Sequence, residues 1–153
     1  MSEHLQQRTP AWHEARRGKL TASNLGAMLG LVSYTSRKTA LARALGRDVF
    51  SGNEACTWGT NNEANALVHY QARSGNFVSA SGLWVHPNYE WLAGSPDGLI
   101  GEDGMVEIKC PFYWRKGAES RVHLKVPEHY YCQVNALLEC TNREWCDYVS
   151  WCP

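Results

Sequence analysis

The first half of the chain repeats apolar residues at helical spacing and interrupts them with glycine. Pro10 sits in the first turn of one such stretch, which ends before Gly18. Thr21 or Ser23 can cap the next stretch, because short hydroxyl side chains favour helix starts. The last two stretches stop at Gly46 and close to Gly75. The pattern predicts helices over residues 10–16, 24–29, 36–45 and 62–72.

The second half shows shorter apolar or alternating stretches, separated by Asn, Gly, Pro and Asp, which predict a strand meander. Helical spacing then returns after Pro127, and an alternating segment follows it. This order predicts a mixed α/β domain with a central mixed β-sheet flanked by helices. The predicted elements are strands over 83–85, 91–93, 99–100, 105–108 and 145–151, and a helix over 127–138.

Length and hydropathy narrow the class of protein. The chain has 153 residues, of which 44% are hydrophobic, and we expect residues 1–153 to form a single folded domain. It has no run of apolar residues long enough for a membrane span, and its N-terminus lacks the apolar segment of a signal peptide. We therefore expect an intracellular protein that is neither secreted nor membrane-bound.

Net charge is zero, which argues against a protein that coats nucleic acid. The charges are nevertheless unevenly distributed. Residues 1–47 carry eight Lys and Arg against two acids, whereas residues 48–153 carry seven against thirteen. The asymmetry is typical of a polyanion-binding half beside an acidic half, although two ordinary solvated surfaces would give the same count.

The chain has six cysteines and no Cys-x-x-Cys pair. A domain of this length does not need disulfides, and zinc sites usually have more closely spaced ligand pairs. We therefore expect free, mostly buried thiols rather than disulfides or a structural zinc site.

The residues with chemical potential lie in the meander. Glu107 and Lys109 alternate with Ile108, so they share one face of a strand. A turn at 101–104 would bring Asp97 beside Glu107. Two such carboxylates repel unless a cation lies between them, and hard oxygen ligands suit Mg²⁺ or Mn²⁺. The spacing alone favours a surface charge cluster over a metal site.

Ordered motifs add a resemblance. Ser95-Pro-Asp97-Gly98 with Glu107-Ile-Lys109 resembles the PD-(D/E)xK nuclease signature. The surrounding blocks resemble the phage lambda exonuclease and YqaJ-like viral recombinase family, which implies a restriction-endonuclease-like core. These blocks are the N-terminal motif at 12–23, Trp58-Gly-Thr-Asn-Asn-Glu63, Glu107-Ile-Lys-Cys-Pro111, Tyr131-Cys-Gln133-Val134 and the closing aromatic strand.

The resemblance implies metal and catalytic roles. Asp97, Glu107 and the Ile108 carbonyl resemble the metal ligands, and Glu63 resembles the helical acid that completes the site through water or a second ion. The expected cofactor is Mg²⁺, with Mn²⁺ as an alternative and two ions in all. Glu63 could instead serve only the helix dipole at the start of its helix.

Two further residues complete the catalytic set that the resemblance implies. Lys109 resembles the residue that positions the attacking water, and Gln133 resembles the helix residue that holds the lysine or the water. An ordinary surface amide is the alternative for Gln133.

Arg16, Ser23 and Ser95 resemble the family's pocket for a 5′-terminal phosphate. An arginine presents a planar fork of donors to phosphate oxygens, and a serine at a helix start adds a hydroxyl donor. A solvated arginine and a plain helix cap are the alternatives.

One departure from the family concerns the second metal. A further acid is expected before the Ser-Pro-Asp block, where this chain has Pro87. The second ion would then be held more weakly, or with help from His86 or Glu90.

The resemblance implies a metal-dependent 5′ to 3′ exonuclease on double-stranded DNA ends, which releases mononucleotides and leaves 3′ single strands for viral or phage recombination. The expected partners are DNA ends and a single-strand annealing protein, and the expected assembly is a homotrimer or a monomer. The expected location is the cytoplasm of a phage-infected bacterium or the host cell of a eukaryotic virus. The alternatives are an endonuclease, a single-strand exonuclease with an iron–sulfur cluster, and a non-catalytic DNA-end-binding module.

Overall fold

A computed structural model describes residues 5–112 and 122–153, and this part of the chain has a mixed α/β architecture, as predicted. The helices are α1 (Pro10–Arg16), α2 (Ala22–Met28), α3 (Arg37–Ala44), α4 (Glu54–Ser74) and α5 (Glu128–Thr141). The strands are β1 (Leu20–Thr21), β2 (Trp84–Val85), β3 (Leu92–Gly94), β4 (Gly98–Ile100), β5 (Gly104–Lys109) and β6 (Trp145–Ser150). None of the helices in these residues could span a lipid bilayer.

The strands form two mixed three-stranded sheets, in the orders β1-β3-β2 and β4-β5-β6. The predicted meander is therefore divided, with β2 antiparallel to β3 in one sheet and β4 antiparallel to β5 in the other. The segment 95–97 separates β3 from β4, and its central residue Pro96 has no N–H for a ladder. The outer strands β1 and β6 pair parallel to β3 and β5.

Local capping explains most helix boundaries. The Ser36 hydroxyl accepts from the Thr39 N–H at the start of α3, and the helix stops before Gly46, which has a positive φ. Helix α4 begins eight residues earlier than predicted, because the Asn53 side chain caps it at the Cys56 N–H. Gly59 lies inside this helix and weakens its sequence signal.

The β4-β5-β6 sheet lies between two helical layers. On one face, Met105 packs in a buried cluster with Ala22 of α2 and Leu137 of α5. On the other face, Val106 packs against Ala66 of α4. Alternation along β5 therefore assigns every second side chain to the α5 face and the others to the α4 face.

Substitution of Gly94 by alanine should destabilise the fold. An added Cβ would lie 2.5 Å from Leu137 Cδ2 and 3.0 Å from the Ala22 Cβ, and Leu137 is fully buried. Overpacking of this kind costs about 1–3 kcal/mol. Thermal unfolding followed by circular dichroism should show a Tm several degrees below that of the unsubstituted chain.

Gly59→Ala is the matched control, because a Cβ there has no atom within 4 Å and the residue lies inside α4. It should raise stability by about 0.5–1 kcal/mol, since alanine favours a helix interior. Equal Tm values for the two variants would contradict the close packing of α5 against β3.

Candidate active site

The two predicted carboxylates meet at one end of the β4–β5 hairpin. Asp97 immediately precedes β4, and its neighbour Gly98 pairs with Val106 in β5. The Ile108 N–H donates to Asp97 Oδ2 at 2.7 Å. Glu107, the residue before Ile108, is only 2% exposed and faces α5. We refer to Asp97 and Glu107 as the carboxylate pair.

Glu107 is fixed by two predicted neighbours on its own face. Its Oε1 accepts from Lys109 Nζ at 2.7 Å and from Gln133 Nε2 at 2.7 Å. Lys109 Nζ also donates to Gln133 Oε1 at 3.2 Å, which closes a triangle of hydrogen bonds. Glu107 Oε2 is buried and has no hydrogen-bond partner within residues 5–112 and 122–153. One oxygen of this carboxylate is therefore satisfied and the other is left open.

Burial and charge shift the pKa values at this site. Burial raises the pKa of Asp97 well above its ordinary value, and the Glu107 and Glu63 carboxylates raise it further. Burial lowers the pKa of Lys109, but the Glu107 and Asp97 carboxylates outweigh that effect, so the net pKa is raised. In the metal-free protein Lys109 is therefore a protonated donor, which can orient a water molecule.

Tyr130 is a site residue that the sequence motifs did not indicate. Lys109 Nζ lies 4.5 Å from the centre of the Tyr130 ring, within range of a cation–π interaction. Tyr130 and Gln133 are three residues apart on α5, so both reach the same face of the helix. The three-residue spacing between Tyr130 and Gln133 was the sequence signal that could have identified Tyr130 as a site residue.

Glu63 approaches from α4, the helical layer on the other side of the sheet. It is half-buried and accepts from Arg8 Nη2 at 2.6 Å. Its charge raises the pKa of Asp97, so the two acids share one electrostatic environment. The sequence indicates Arg8 only as one of the cations in the basic residues 1–47, because no local pattern links it to Glu63, which lies far along the chain.

The donor set fits a magnesium ion held by few protein ligands. In the described part of the chain, no group of three or more His, Cys, Asp or Glu side chains is arranged to hold a metal. Mg²⁺ commonly uses one or two carboxylates and completes its shell with water and substrate phosphate. The carboxylate pair, with the unpartnered Glu107 Oε2, provides that minimum. Glu63 and the Ile108 carbonyl remain predicted ligands, and a second ion remains a prediction.

His86, one of the two residues suggested to help hold a second ion, has contacts with other groups. His86 Nδ1 accepts from the Asn88 and Tyr89 N–H groups at 3.1 and 3.2 Å. Its Nε2 lies 3.8 Å from Glu139 Oε2 on α5. Both ring nitrogens of His86 therefore lie close to other groups, and the contact with Glu139 joins two distant segments that no local sequence pattern connects.

Two predicted phosphate-pocket residues are linked through Trp12. The Arg16 guanidinium lies 4.0 Å above the Trp12 ring centre, and Trp12 Nε1 donates to Ser95 Oγ at 3.0 Å. Burial lowers the pKa of Arg16, and no carboxylate of the described residues forms an ion pair with it. Trp12 thus holds both an arginine and a serine in place.

Strand register brings Ser23 to the same end of the first sheet. β1 and β3 are parallel, with Thr21 opposite Ala93. Ser23 and Ser95 each lie two residues beyond this pair. Both therefore follow the carboxyl ends of their strands, at the same end of the sheet. Ser23 Oγ lies 3.3 Å from Thr21 Oγ1 in the first turn of α2.

Comparison with known proteins agrees with this architecture. The model of the YqaJ-like viral recombinase domain matches residues 11–144. The chain belongs to the YqaJ-like viral recombinase family. The resemblance noted in the motifs is thereby confirmed.

Solved structures also resemble the YqaJ-like domain. A crystal structure of an alkaline exonuclease, LHK-Exo from Laribacter hongkongensis, superposes with a TM-score of 0.73 at 33% identity. A crystal structure of LHK-Exo in complex with dAMP gives a TM-score of 0.75, also at 33% identity. Each match covers 94% of this chain and 74% of the other. The PD-(D/E)xK fold class is confirmed by these matches.

A viral relative shares less of its length. An uncharacterized protein of Acanthamoeba polyphaga mimivirus is 24% identical over 158 residues, which cover 95% of this chain. The chain spans only 29% of the length of that relative.

Asp97→Asn should stabilise the metal-free protein at neutral pH. The raised pKa of Asp97 means that its ionised form disfavours the native state, so stability falls as pH rises through that pKa. Asparagine keeps an oxygen for the Ile108 N–H without the charge. In EDTA, Tm should exceed that of the unsubstituted chain by roughly 2–4 °C near pH 8, the shift expected from about 1 kcal/mol, and by less near pH 5.

Asp103→Asn is the control, because Asp103 is an exposed acid in the turn between β4 and β5. It should change Tm little at either pH. A larger rise in Tm from Asp103→Asn than from Asp97→Asn would contradict the conclusion that the ionised Asp97 side chain destabilises the native state.

Proposed function

We propose that this YqaJ-like domain is a Mg²⁺-dependent deoxyribonuclease that degrades double-stranded DNA from its 5′ ends. It prefers 5′-phosphorylated ends, releases mononucleotides and leaves 3′ single strands for recombination. The observation that carries the proposal is the buried Glu107, which has one oxygen held by Lys109 and Gln133 and the other without a partner among the described residues.

The carboxylate pair would hold the metal, which supplies charge neutralisation at the phosphate and a lowered pKa of water. Lys109 is hydrogen-bonded to Glu107 and Gln133, and we assign it the role of orienting the attacking water and offsetting negative charge on the phosphate. Gln133 hydrogen-bonds to both Glu107 and Lys109 and so fixes the position of the carboxylate relative to the amine. The Tyr130 ring contacts the Lys109 ammonium through a cation–π interaction.

The phosphate pocket accounts for a preference for DNA ends. A terminal phosphate carries more negative charge than an internal one and has oxygens free for a planar guanidinium. Arg16 is held on Trp12 without a carboxylate partner among the described residues, and Ser95 and Ser23 add hydroxyls at the same end of the sheet. Asp97 lies two residues from Ser95, so an end bound there is next to the carboxylate pair.

The similar proteins support this reaction class. LHK-Exo is described as an alkaline exonuclease, and its complex with dAMP contains a nucleoside monophosphate. A nucleoside monophosphate is the kind of product that stepwise cleavage of DNA ends releases. The proposed partners are duplex DNA ends and a single-strand annealing protein, within an infected cell, as a homotrimer or a monomer.

The alternative functions have less support. A non-catalytic DNA-end-binding module would not need the triangle of Glu107, Lys109 and Gln133. An iron–sulfur exonuclease needs grouped cysteines, but all six are free thiols and form no metal-binding group in the described residues. An endonuclease of the same superfamily differs by cutting DNA that has no end.

Lys109→Ala should abolish cleavage, with a fall of about 100-fold or more in rate, because the water loses its orienting donor. The assay is Mg²⁺-dependent digestion of a linear 5′-phosphorylated duplex. Lys125→Ala is the control, because Lys125 is exposed, and it should digest the duplex normally. Full activity of Lys109→Ala would remove the assigned site, and equal digestion of a closed circle would reject the exonuclease.

Arg16→Ala should remove most of the preference for phosphorylated ends. Loss of a charge-assisted contact should reduce the ratio of rates on 5′-phosphoryl and 5′-hydroxyl duplexes by roughly 10- to 100-fold. Arg17→Ala should leave the ratio unchanged, since Arg17 is exposed and paired with Glu14. An unaltered ratio in Arg16→Ala would reject the pocket.

A further inference from the structure

Arg8 has a backbone conformation that an ordinary surface residue avoids. Its φ is +66°, in the left-handed region that favours glycine. Its one ion pair, with Glu63, joins side chains that are 49% and 28% exposed. Such a pair returns little stability in water, less than the left-handed backbone of a non-glycine residue costs. The stability of the fold therefore does not explain why an arginine occupies this position.

Neighbouring contacts hold Arg8 in this conformation from both sides. Gln7 Nε2 donates to the Pro96 carbonyl at 2.8 Å and to the Ser81 carbonyl at 3.1 Å. On the other side, the Thr9 hydroxyl donates to the Gln6 carbonyl and accepts from the Trp12 N–H at the start of α1. The segment is thus attached to the residue before Asp97 and to α1, and the arginine side chain is directed to α4.

The guanidinium is held near the residues that lead into the carboxylate pair, because Gln7 binds the Pro96 carbonyl and Arg8 binds Glu63. Glu63, its partner, acts on the charge of Asp97. In the described residues Glu63 is the one hydrogen-bond partner of Arg8, so the other N–H groups of the half-exposed guanidinium face solvent. These N–H groups can donate to a phosphate oxygen while the guanidinium keeps its ion pair with Glu63.

Arg8 and Arg16 belong to different sets of contacts around the 95–97 segment. Arg16 reaches Ser95 through Trp12, whereas Arg8 reaches Glu63 next to Asp97. If a terminal phosphate occupies the Arg16 pocket, the Arg8 guanidinium is left for a phosphate further along the same strand. The two arginines then read different parts of the strand, one its end and one its backbone.

We propose that Arg8 binds an internal backbone phosphate of the DNA strand at the carboxylate pair, with Glu63 as its positioning partner. This inference rests on the proposed function, because it requires that DNA binds at the site. It adds a contact that is independent of the chemistry of the DNA end.

The test uses Arg8→Gly, because glycine accepts the positive φ and removes only the side chain. Anisotropy of labelled duplexes with 5′-phosphoryl or 5′-hydroxyl ends is measured in Ca²⁺ over a range of salt concentrations, together with Tm. We expect about 10-fold weaker binding of both duplexes. The slope of log affinity against log salt should become shallower by about 0.7 to 0.9, and Tm should stay equal or rise.

Arg17→Ala removes an exposed arginine from the same basic third and should leave affinity and slope close to those of the unsubstituted chain. Three results would overturn the inference: unchanged binding in Arg8→Gly, a loss confined to 5′-phosphoryl duplexes, or a lowered Tm. If the unsubstituted chain binds neither duplex, the proposed function itself fails, and the inference fails with it.

Discussion

Burial of the Glu107 charge is the constraint on which the rest of the site depends. Strand β5 is buried from Gly104 to Ile108, with helices packed on both faces of its sheet. A carboxylate in such a place costs several kcal/mol unless donors compensate it. Lys109 and Gln133 compensate one oxygen, and the second oxygen has no donor among residues 5–112 and 122–153. This part of the fold therefore compensates only one of the two oxygens, and a bound cation would compensate the other.

Side-chain alternation along β5 then decides where every other group must stand. Glu107 and Lys109 face α5, which is why their partners Gln133 and Tyr130 both come from that helix. Ile108 faces α4 and anchors the opposite core, while its N–H fixes Asp97. The residues that build the core therefore also position the carboxylates.

Sequence reasoning succeeded where the determinants are local. Alternation at 107–109 and the end of α3 before Gly46 require only neighbouring residues, and the structure has them as predicted. Reasoning failed where distant segments meet. Strand β1 has two residues, too few for a pattern, and exists because Leu20 and Thr21 pair with β3 far along the chain. The Arg8–Glu63 pair likewise joins residues 55 positions apart.

The charge distribution shows why a neutral total says little about DNA. Along the sequence, cations concentrate before residue 48 and acids after it. In the fold the N-terminal segment lies across the acidic part, so Arg8 meets Glu63 and Arg16 stands by Ser95. Screening in salt limits the influence of exposed charges to roughly 10 Å, so a phosphate responds to those arginines and not to the sum over the chain. Cations and acids that are separated along the sequence are therefore brought together in the fold, around the segment that carries Asp97.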